Sequence, residues 1–262
     1  MASADKVIAQ LRRNRSKWSM SRKVRDVVQE TSVRLPAQIT AYGDPALAPL
    51  GTELTQSDEF DGTALAGKWA WINQGTSTVS FTGGRLVMSA QASGGAATHA
   101  NRLLVQAAPS GSFTIRARMG NYSTFVGAAA GIMIRRSANG YFFKLGSYTR
   151  TVLATDLWSA TSDAYQWTDP ATAGTNQFSQ NTDQRARDFF WQLRYDGTLI
   201  YFDFSPDNVH YVNRGSCTAS AATVLNGAPD QIGIAANAPS VATNADVSWD
   251  FFRVYADANL NR

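Results

Sequence analysis

The sequence FFWQLRYDGTLIYFDFSPDNVHYV, residues 189–212, contains the strongest hairpin signal of the chain. Asp196 and Gly197 separate two runs in which apolar and polar residues alternate, which is the pattern of a β-hairpin. A two-residue type I′ turn at this point predicts that Leu193 faces Ile200 across the strands. The large apolar side chains of both strands then share one face, which indicates that this face is buried.

A second turn is predicted at residues 205–208, because Pro and Asx residues favour a tight loop. It sets Phe204 opposite Val209 and His210 opposite Asp203. The other face of these strands is mixed in character and could meet a ligand. It carries Gln192, Arg194, Leu199, Tyr201, Asp203 and His210.

Length and composition fit a globular β protein of one large domain or two small ones. The chain has 262 residues, of which 44% are hydrophobic and 17% charged. Its single cysteine, Cys217, excludes an internal disulfide, and no apolar run is long enough to predict a membrane span. The N-terminus has no apolar secretory signal, so we expect a protein made in the cytoplasm of its host.

Basic residues are concentrated in residues 1–35, which contain nine Lys and Arg against three Asp and Glu. Val7, Leu11 and Trp18 recur at roughly helical spacing there, which predicts a partly helical docking arm for a larger assembly. A solvated tail and an organellar transit peptide are the alternatives. Nucleic-acid binding is not favoured, because no aromatic platform accompanies the charges. The predicted docking residues are Arg12, Arg13, Arg15, Lys17, Trp18, Arg22, Lys23 and Arg25.

The remaining chain divides into a linker, a β domain and a short tail. Residues 36–56 contain three prolines and no sustained period, which is typical of a linker. Residues 57–256 contain many short alternating runs with turn residues between them, and residues 257–262 form a tail. The fold class predicted is all-β, a two-sheet antiparallel jelly-roll sandwich. The doublet Phe251-Phe252 breaks the alternation and predicts a bulge.

The segment 158–180 has large aromatic residues but no alternation. Two interpretations stay open, a cap over one end of the sandwich and a surface for stacking on sugars. In the second interpretation, aromatic rings contact sugar CH groups and an arginine binds hydroxyl groups. The predicted carbohydrate-binding residues are Trp158, Tyr165, Trp167, Arg194 and Tyr201.

Short motifs spaced along residues 57–255 carry a resemblance to a known family. They are Asp58-Glu59-Phe60-Asp61-Gly62, Ile132-Met133-Ile134-Arg135, Trp191-Gln192-Leu193-Arg194 and Trp249-Asp250-Phe251-Phe252. In this order they resemble concanavalin A-like lectin/glucanase domains, of the type appended to glycoside hydrolases and found in bacteriophage virion appendages. The resemblance implies two antiparallel sheets and a face that often binds carbohydrate.

The resemblance also implies what an enzyme of this fold would need, namely a pair of carboxylates that are typically glutamates on one strand. The glutamates here are Glu30, Glu53 and Glu59, and none follows residue 59. We therefore expect no enzymatic activity and no cofactor. Structural calcium at Asp58, Asp61 and Asp250 is a minor alternative. Calcium prefers six to eight oxygen ligands, and the sequence offers only these three candidate carboxylates.

These observations together predict a non-enzymatic virion structural protein, a phage tail or capsid appendage, whose lectin-like domain binds host-surface glycans during attachment. A homo-oligomer is expected. The first alternative is a decoration or cement protein without a ligand. The second is an unusual glycoside hydrolase or carbohydrate-binding module.

Overall fold

The structure is a computed structural model of the whole chain. It describes residues 51–92, 101–121, 129–148, 152–158, 165–166, 177–178, 189–221, 224–238 and 244–256. The chain divides into two units, residues 1–45 and 46–262. The predicted helical arm and the tail at 257–262 lie outside the described residues.

Within the described residues every regular element is a β-strand, so the all-β prediction is confirmed. The strands are β1 (Ala70–Ile72), β2 (Thr78–Phe81), β3 (Leu86–Ala90), β4 (Arg102–Ala107), β5 (Phe113–Asn121), β6 (Ala129–Arg135), β7 (Phe142–Tyr148), β8 (Val152–Trp158), β9 (Tyr165–Gln166), β10 (Gln177–Phe178), β11 (Phe189–Tyr195), β12 (Leu199–Ser205), β13 (Val212–Thr218), β14 (Gln231–Asn237) and β15 (Ala245–Ala256).

These strands form two antiparallel sheets that pack as a sandwich. The seven-stranded sheet has the order β13-β12-β11-β5-β15-β3-β2. The eight-stranded sheet has the order β1-β4-β14-β6-β7-β8-β10, with β9 paired to β8. Several neighbouring strands are distant in sequence, such as β5 with β15 and β4 with β14, and such long connections are expected of a jelly roll.

The core lies between the sheets and takes alternate residues from each strand. Trp191 and Phe202 come from the seven-stranded sheet, and Ile132 and Phe143 come from the eight-stranded sheet. All four side chains are almost fully buried. Burial of large apolar side chains on one face of each sheet is the main favourable term that holds such a sandwich together.

The hairpin at Asp196-Gly197 forms, but its register differs from the prediction by two residues. Leu193 pairs with Phe202 instead of Ile200. A type I′ turn needs a positive φ at both turn residues, but of these two only Gly197 has one, so the turn is not of type I′. The Asp196 carboxylate instead accepts hydrogen bonds from the backbone N–H groups of Thr198 and Leu199, at 2.8 and 2.6 Å. A shift of two residues keeps every side chain on its predicted face.

The prediction for the second turn is wrong. Phe204 pairs with Val212 instead of Val209. The pairing of β12 with β13 also contains a bulge, between Phe202 and Asp203. Consequently His210 does not face Asp203. The loop is longer than predicted because its own side chains satisfy its backbone, as described for Asp207 below.

The bulge predicted at Phe251-Phe252 is confirmed, since the pairing of β15 with β5 shifts between Trp249 and Phe251. Before the bulge, β15 pairs with β3. After the bulge, residues 52–58 lie beside β15 instead. Ala256 N donates to Thr52 O at 2.9 Å, and Asp58 N donates to Phe252 O at 2.7 Å. The last residues of the predicted linker therefore belong to the sandwich.

The outward face of the eight-stranded sheet carries a second apolar cluster, which is also buried. It consists of Leu103, Val105, Met133, Phe142 and Ala235, with Ile72 packed against it. A membrane-spanning helix is not found anywhere in the described parts of the chain.

Candidate functional site

An open cleft of about 600 Å³ lies on the outward face of the seven-stranded sheet. This volume falls within the range of ordinary small-ligand sites. Strand residues form its floor, and loop residues form its rim. The lining residues are Glu59, Asp61, Gly84, Arg118, Phe190, Asp207, Asn208, Asp250, Phe251 and Arg253.

Three adjacent strands supply the floor. Arg118 on β5 pairs with Phe190 on β11 and, on its other side, with Phe251 on β15. These three residues alternate with core residues, so they point away from the core. Asp250 is the extra residue of the β15 bulge. A bulge re-aims side chains, and here it lets the consecutive residues Asp250 and Phe251 both line the cleft.

Two ion pairs cross the floor of the cleft. Arg253 donates from its guanidinium to both oxygens of Glu59, at 2.6 and 2.8 Å. Arg118 Nη1 donates to Asp250 Oδ2 at 2.8 Å. The bidentate bonds with Glu59 raise the pKa of Arg253, although burial opposes this. Each guanidinium is therefore held in one orientation by a carboxylate.

Each guanidinium also lies over an aromatic ring. Arg118 Cζ is 5.5 Å from the centre of the Phe190 ring, and Arg253 Cζ is 4.2 Å from that of Phe251. The two rings contact each other, with centroids 6.2 Å apart. Phe190 is half-buried, whereas Phe251 is buried. The floor thus combines apolar rings with fixed charged groups.

The loop between β12 and β13 contributes Asp207 and Asn208 to the rim. Asp207 Oδ1 accepts from the backbone N–H groups of Val209 and His210, and Asp207 Oδ2 contacts His210 Nδ1 at 2.7 Å. Burial acts to raise the pKa of Asp207, but the bonds from His210, Val209 and Ser205 outweigh it and hold the pKa well below its usual value. The loop is therefore ordered around a carboxylate.

A buried polar network lies beside the cleft on the same sheet face. Asp203 accepts from Gln192 Nε2 at 2.6 Å, from Arg194 Nε at 2.9 Å and from Asn213 Nδ2 at 2.7 Å. Arg116 Nε donates to Gln192 Oε1 at 2.6 Å, which continues the network across β5. Such a connected network fixes the positions of the strands that carry the cleft residues.

The predicted carbohydrate-binding residues are divided between the two sheets. Arg194 and Tyr201 pair on the seven-stranded sheet, whereas Trp158 and Tyr165 are register partners in β8 and β9 of the eight-stranded sheet. Trp167 lies outside the described residues. The structure does not bring these residues together.

Arg194 itself is a buried network residue. Its side chain is 4% exposed, bonds Asp203 and lies 4.7 Å over the Tyr201 ring. Tyr201 donates its hydroxyl proton to Asp196 Oδ2 at 3.0 Å. In this structure both side chains are engaged by protein partners, and neither lines the cleft.

The predicted docking residues lie outside the described residues. They are Arg12, Arg13, Arg15, Lys17, Trp18, Arg22, Lys23 and Arg25.

The calcium alternative gains no support from the described residues, which contain no group of three metal-ligating side chains. Asp58 accepts from Trp69 Nε1 at 2.8 Å, and Asp250 is paired with Arg118.

Sequence reasoning missed most of the cleft. Arg118 and Phe190 alternate with core residues, so alternation alone places them on the outward face, but nothing in the sequence shows that β5, β11 and β15 are neighbours. Glu59 reaches Arg253 because residues near 58 pair with β15 across almost the whole length of the domain. Two signals pointed to this site: the bulge, and the calcium alternative, which had grouped Asp61 with Asp250.

Comparison with solved structures finds proteins of the same architecture. The GH43 BlXynB protein from Bacillus licheniformis matches at a TM-score of 0.55 with 16% identity, over 78% of this chain and 39% of its own length. The endo-β-galactosidase from Clostridium perfringens that releases GlcNAcα1-4Gal matches at 0.54 with 12% identity, over 81% and 64%. The Bacillus licheniformis β-glucanase matches at 0.50 with 10% identity, over 79% and 99%.

The likeness is one of fold. The chain shares the jelly-roll sandwich of these glycoside hydrolases, as the concanavalin A-like resemblance predicted. It spans about two fifths of the length of the GH43 BlXynB protein. No protein-family model matches the sequence, and a comparison with curated protein sequences finds no match.

Proposed function

We propose that the protein is a non-enzymatic structural protein of a virion, in which the jelly-roll domain binds glycans in the cleft of the seven-stranded sheet. The observation that carries the glycan-binding part is the floor of that cleft, where a half-buried ring lies beside fixed guanidinium–carboxylate pairs. The basic segment 1–35 supports attachment of the domain to a larger particle. The virion role is an analogy with phage appendages of this layout.

The floor suits a sugar because it offers an apolar surface and both kinds of hydrogen-bonding group. Phe190 presents ring surface for sugar CH groups. Arg118 and Arg253 supply donors, and Asp250 and Glu59 supply acceptors, in positions fixed by their mutual bonds. Groups held in place before binding lose little conformational freedom when the ligand arrives.

The same bonds argue against hydrolysis. A glycosidase needs one carboxylic acid that can protonate the leaving group and a second carboxylate as nucleophile or base. Glu59 and Asp250 are each held by an arginine, and Asp207 has a lowered pKa, which is the opposite of what a general acid needs. Asp61 is the one cleft carboxylate without a partner among the described residues, and hydrolysis needs a pair. We therefore propose binding without turnover.

A decoration protein without a ligand is the second candidate, and one observation favours it. Both rings of the floor already lie under guanidinium groups of the same chain, and Phe251 is 6% exposed. In that case the cleft residues would stabilise the sheet and contact nothing else.

A glycan array probed with the full chain separates these candidates. We expect binding to a defined set of glycans, and we expect Phe190→Ala to lower the affinity for them about tenfold because ring surface is lost. Tyr141→Ala is the matched control, because Tyr141 is also half-buried but lies at the turn between β6 and β7. Absence of binding to any glycan would favour the decoration protein.

Attachment to a particle is tested in the full chain by charge reversal at Arg12, Arg13 and Arg15. We expect the variant to lose co-sedimentation with virions assembled in the host while it keeps glycan binding. Phe190→Ala should show the opposite behaviour, and so serves as the control. Co-sedimentation that survives charge reversal would contradict the docking role of the arm.

A further inference from the structure

The charges around the cleft are unbalanced. Its lining contains four carboxylates but only two guanidinium groups. The carboxylates are Glu59, Asp61, Asp207 and Asp250, and the guanidinium groups are Arg118 and Arg253. Two groups outside the lining reduce this excess. Arg85 Nε lies 3.5 Å from Asp250 Oδ1, and His210, which carries a charge only when protonated, contacts Asp207 Oδ2 at 2.7 Å. A ligand in the cleft therefore meets a net negative lining.

The two arginines of the lining are already engaged. Arg253 makes two bonds with Glu59, and Arg118 makes a 2.8 Å bond with Asp250. An acidic ligand would have to compete with these carboxylates, and displacement would leave a carboxylate facing the ligand without its partner. Both steps cost free energy for an anion.

Asp61 differs from the other three carboxylates. It is exposed at the cleft and makes no hydrogen bond or ion pair with any of the described residues. Its oxygens are consequently free to accept hydrogen bonds from ligand hydroxyl or ammonium groups. Because no cationic side chain among the described residues pairs with it, it also contributes most directly to repulsion of a negative charge.

From this charge arrangement and the free Asp61 carboxylate, we infer that the cleft selects glycans without acidic groups. Neutral sugars and amino sugars bind, and sugars that carry a carboxylate or sulfate are rejected. This inference rests on the proposed glycan-binding function and narrows the class of ligand that the cleft accepts.

The test is a glycan array built on one β-1,4-linked glucose backbone. The backbone is presented in three versions: unsubstituted, with an amine at C2, or with a carboxylate at C6. Unrelated neutral and sialylated glycans are included on the same array. At low salt we expect the amine-bearing version to bind most tightly and the carboxylate version least tightly. The difference should shrink as salt is added, because exposed charges are screened.

Asp61→Asn should lower the affinity for the amine version about fivefold, which corresponds to the loss of one nearby charge in water, and should raise the affinity for the carboxylate version by about the same factor. Asp246→Asn is the matched control, because Asp246 is exposed on β15 but lies outside the cleft lining, and it should change nothing.

The outcomes distinguish this inference from the proposal on which it rests. Equal or preferred binding of acidic glycans, on either part of the array, would overturn the selectivity and leave glycan binding intact. An unchanged preference in Asp61→Asn would overturn the role of that carboxylate. Absence of all binding would overturn the proposed function and the inference together.

Discussion

The outward faces of the two sheets differ in chemistry although the same alternation builds both. The seven-stranded sheet presents arginines paired with carboxylates, and an open cleft lies on it. The outward face of the eight-stranded sheet carries Leu103, Met133 and Phe142, which are all fully buried. Glycines lie beside them on neighbouring strands, for example Gly233 opposite Met133. The first face has charged groups held in place by their mutual bonds, and the second is a packing surface.

We expect this difference to separate substitutions that affect the proposed binding from substitutions that affect stability. Changes on the eight-stranded face should act through packing and leave the cleft chemistry unaltered. Changes on the seven-stranded face should fall into two classes, those that break the buried network and those that alter the cleft alone. Single substitutions at Gly146, Asp203 and Asp207 test this division.

Gly146→Ala should destabilise the fold by about 4 kcal/mol or more. Gly146 pairs with Gly131 on the eight-stranded sheet, and an added Cβ would lie 1.9 Å from the Ala130 carbonyl oxygen. The contact is with backbone, so no side chain can move to relieve it. Denaturant unfolding measures the loss. Gly67→Ala is the control, since nothing lies within 4 Å of its added Cβ; equal stability of the two variants would contradict the close approach.

Asp203→Ala should cost about 3–5 kcal/mol, because it leaves the buried Arg194 guanidinium without its carboxylate. The loss is measured by urea unfolding. Asp246→Ala removes the same charge from an exposed position, and we expect a change within about 0.5 kcal/mol. If the two variants were equally stable, the network would contribute nothing to the seven-stranded sheet.

Asp207 should make a small, pH-dependent contribution. Its pKa is lowered in the folded state, so its stabilisation is present above its unfolded pKa of about 3.9 and is lost as pH falls below that value. Asp207→Asn should therefore have a slightly lower Tm at pH 7 and a shallower loss of Tm between about pH 4 and pH 2. Parallel curves for Asp207→Asn and wild type would exclude this contribution.

The sequence predicted the faces of the strands better than their pairing. Alternation requires that Trp191 and Leu193 be buried while Gln192 faces away, and this holds in the structure. The register of the first hairpin was missed by two residues because Asp196 caps backbone N–H groups with its side chain, which a two-residue turn rule ignores. An error of two residues leaves the faces unchanged.

The second hairpin and the cleft could not be predicted from local patterns. The bonds of Asp207 hold a loop that displaces β13 by three residues relative to Phe204, and an odd shift exchanges the faces. The cleft needs contacts between residues almost two hundred positions apart, such as Glu59 with Arg253. No local period carries that information.

The bulge at Asp250 has a consequence for how this surface could change over evolutionary time. Pairing between β15 and β5 is regular on both sides of that residue and offset by one across it. Loss of a single codon there would join the two ladders without moving any other side chain to the opposite face. One in-frame deletion or insertion is therefore enough to remove or restore an acid in the cleft, so the charge of the cleft can vary among descendants while the scaffold is inherited intact.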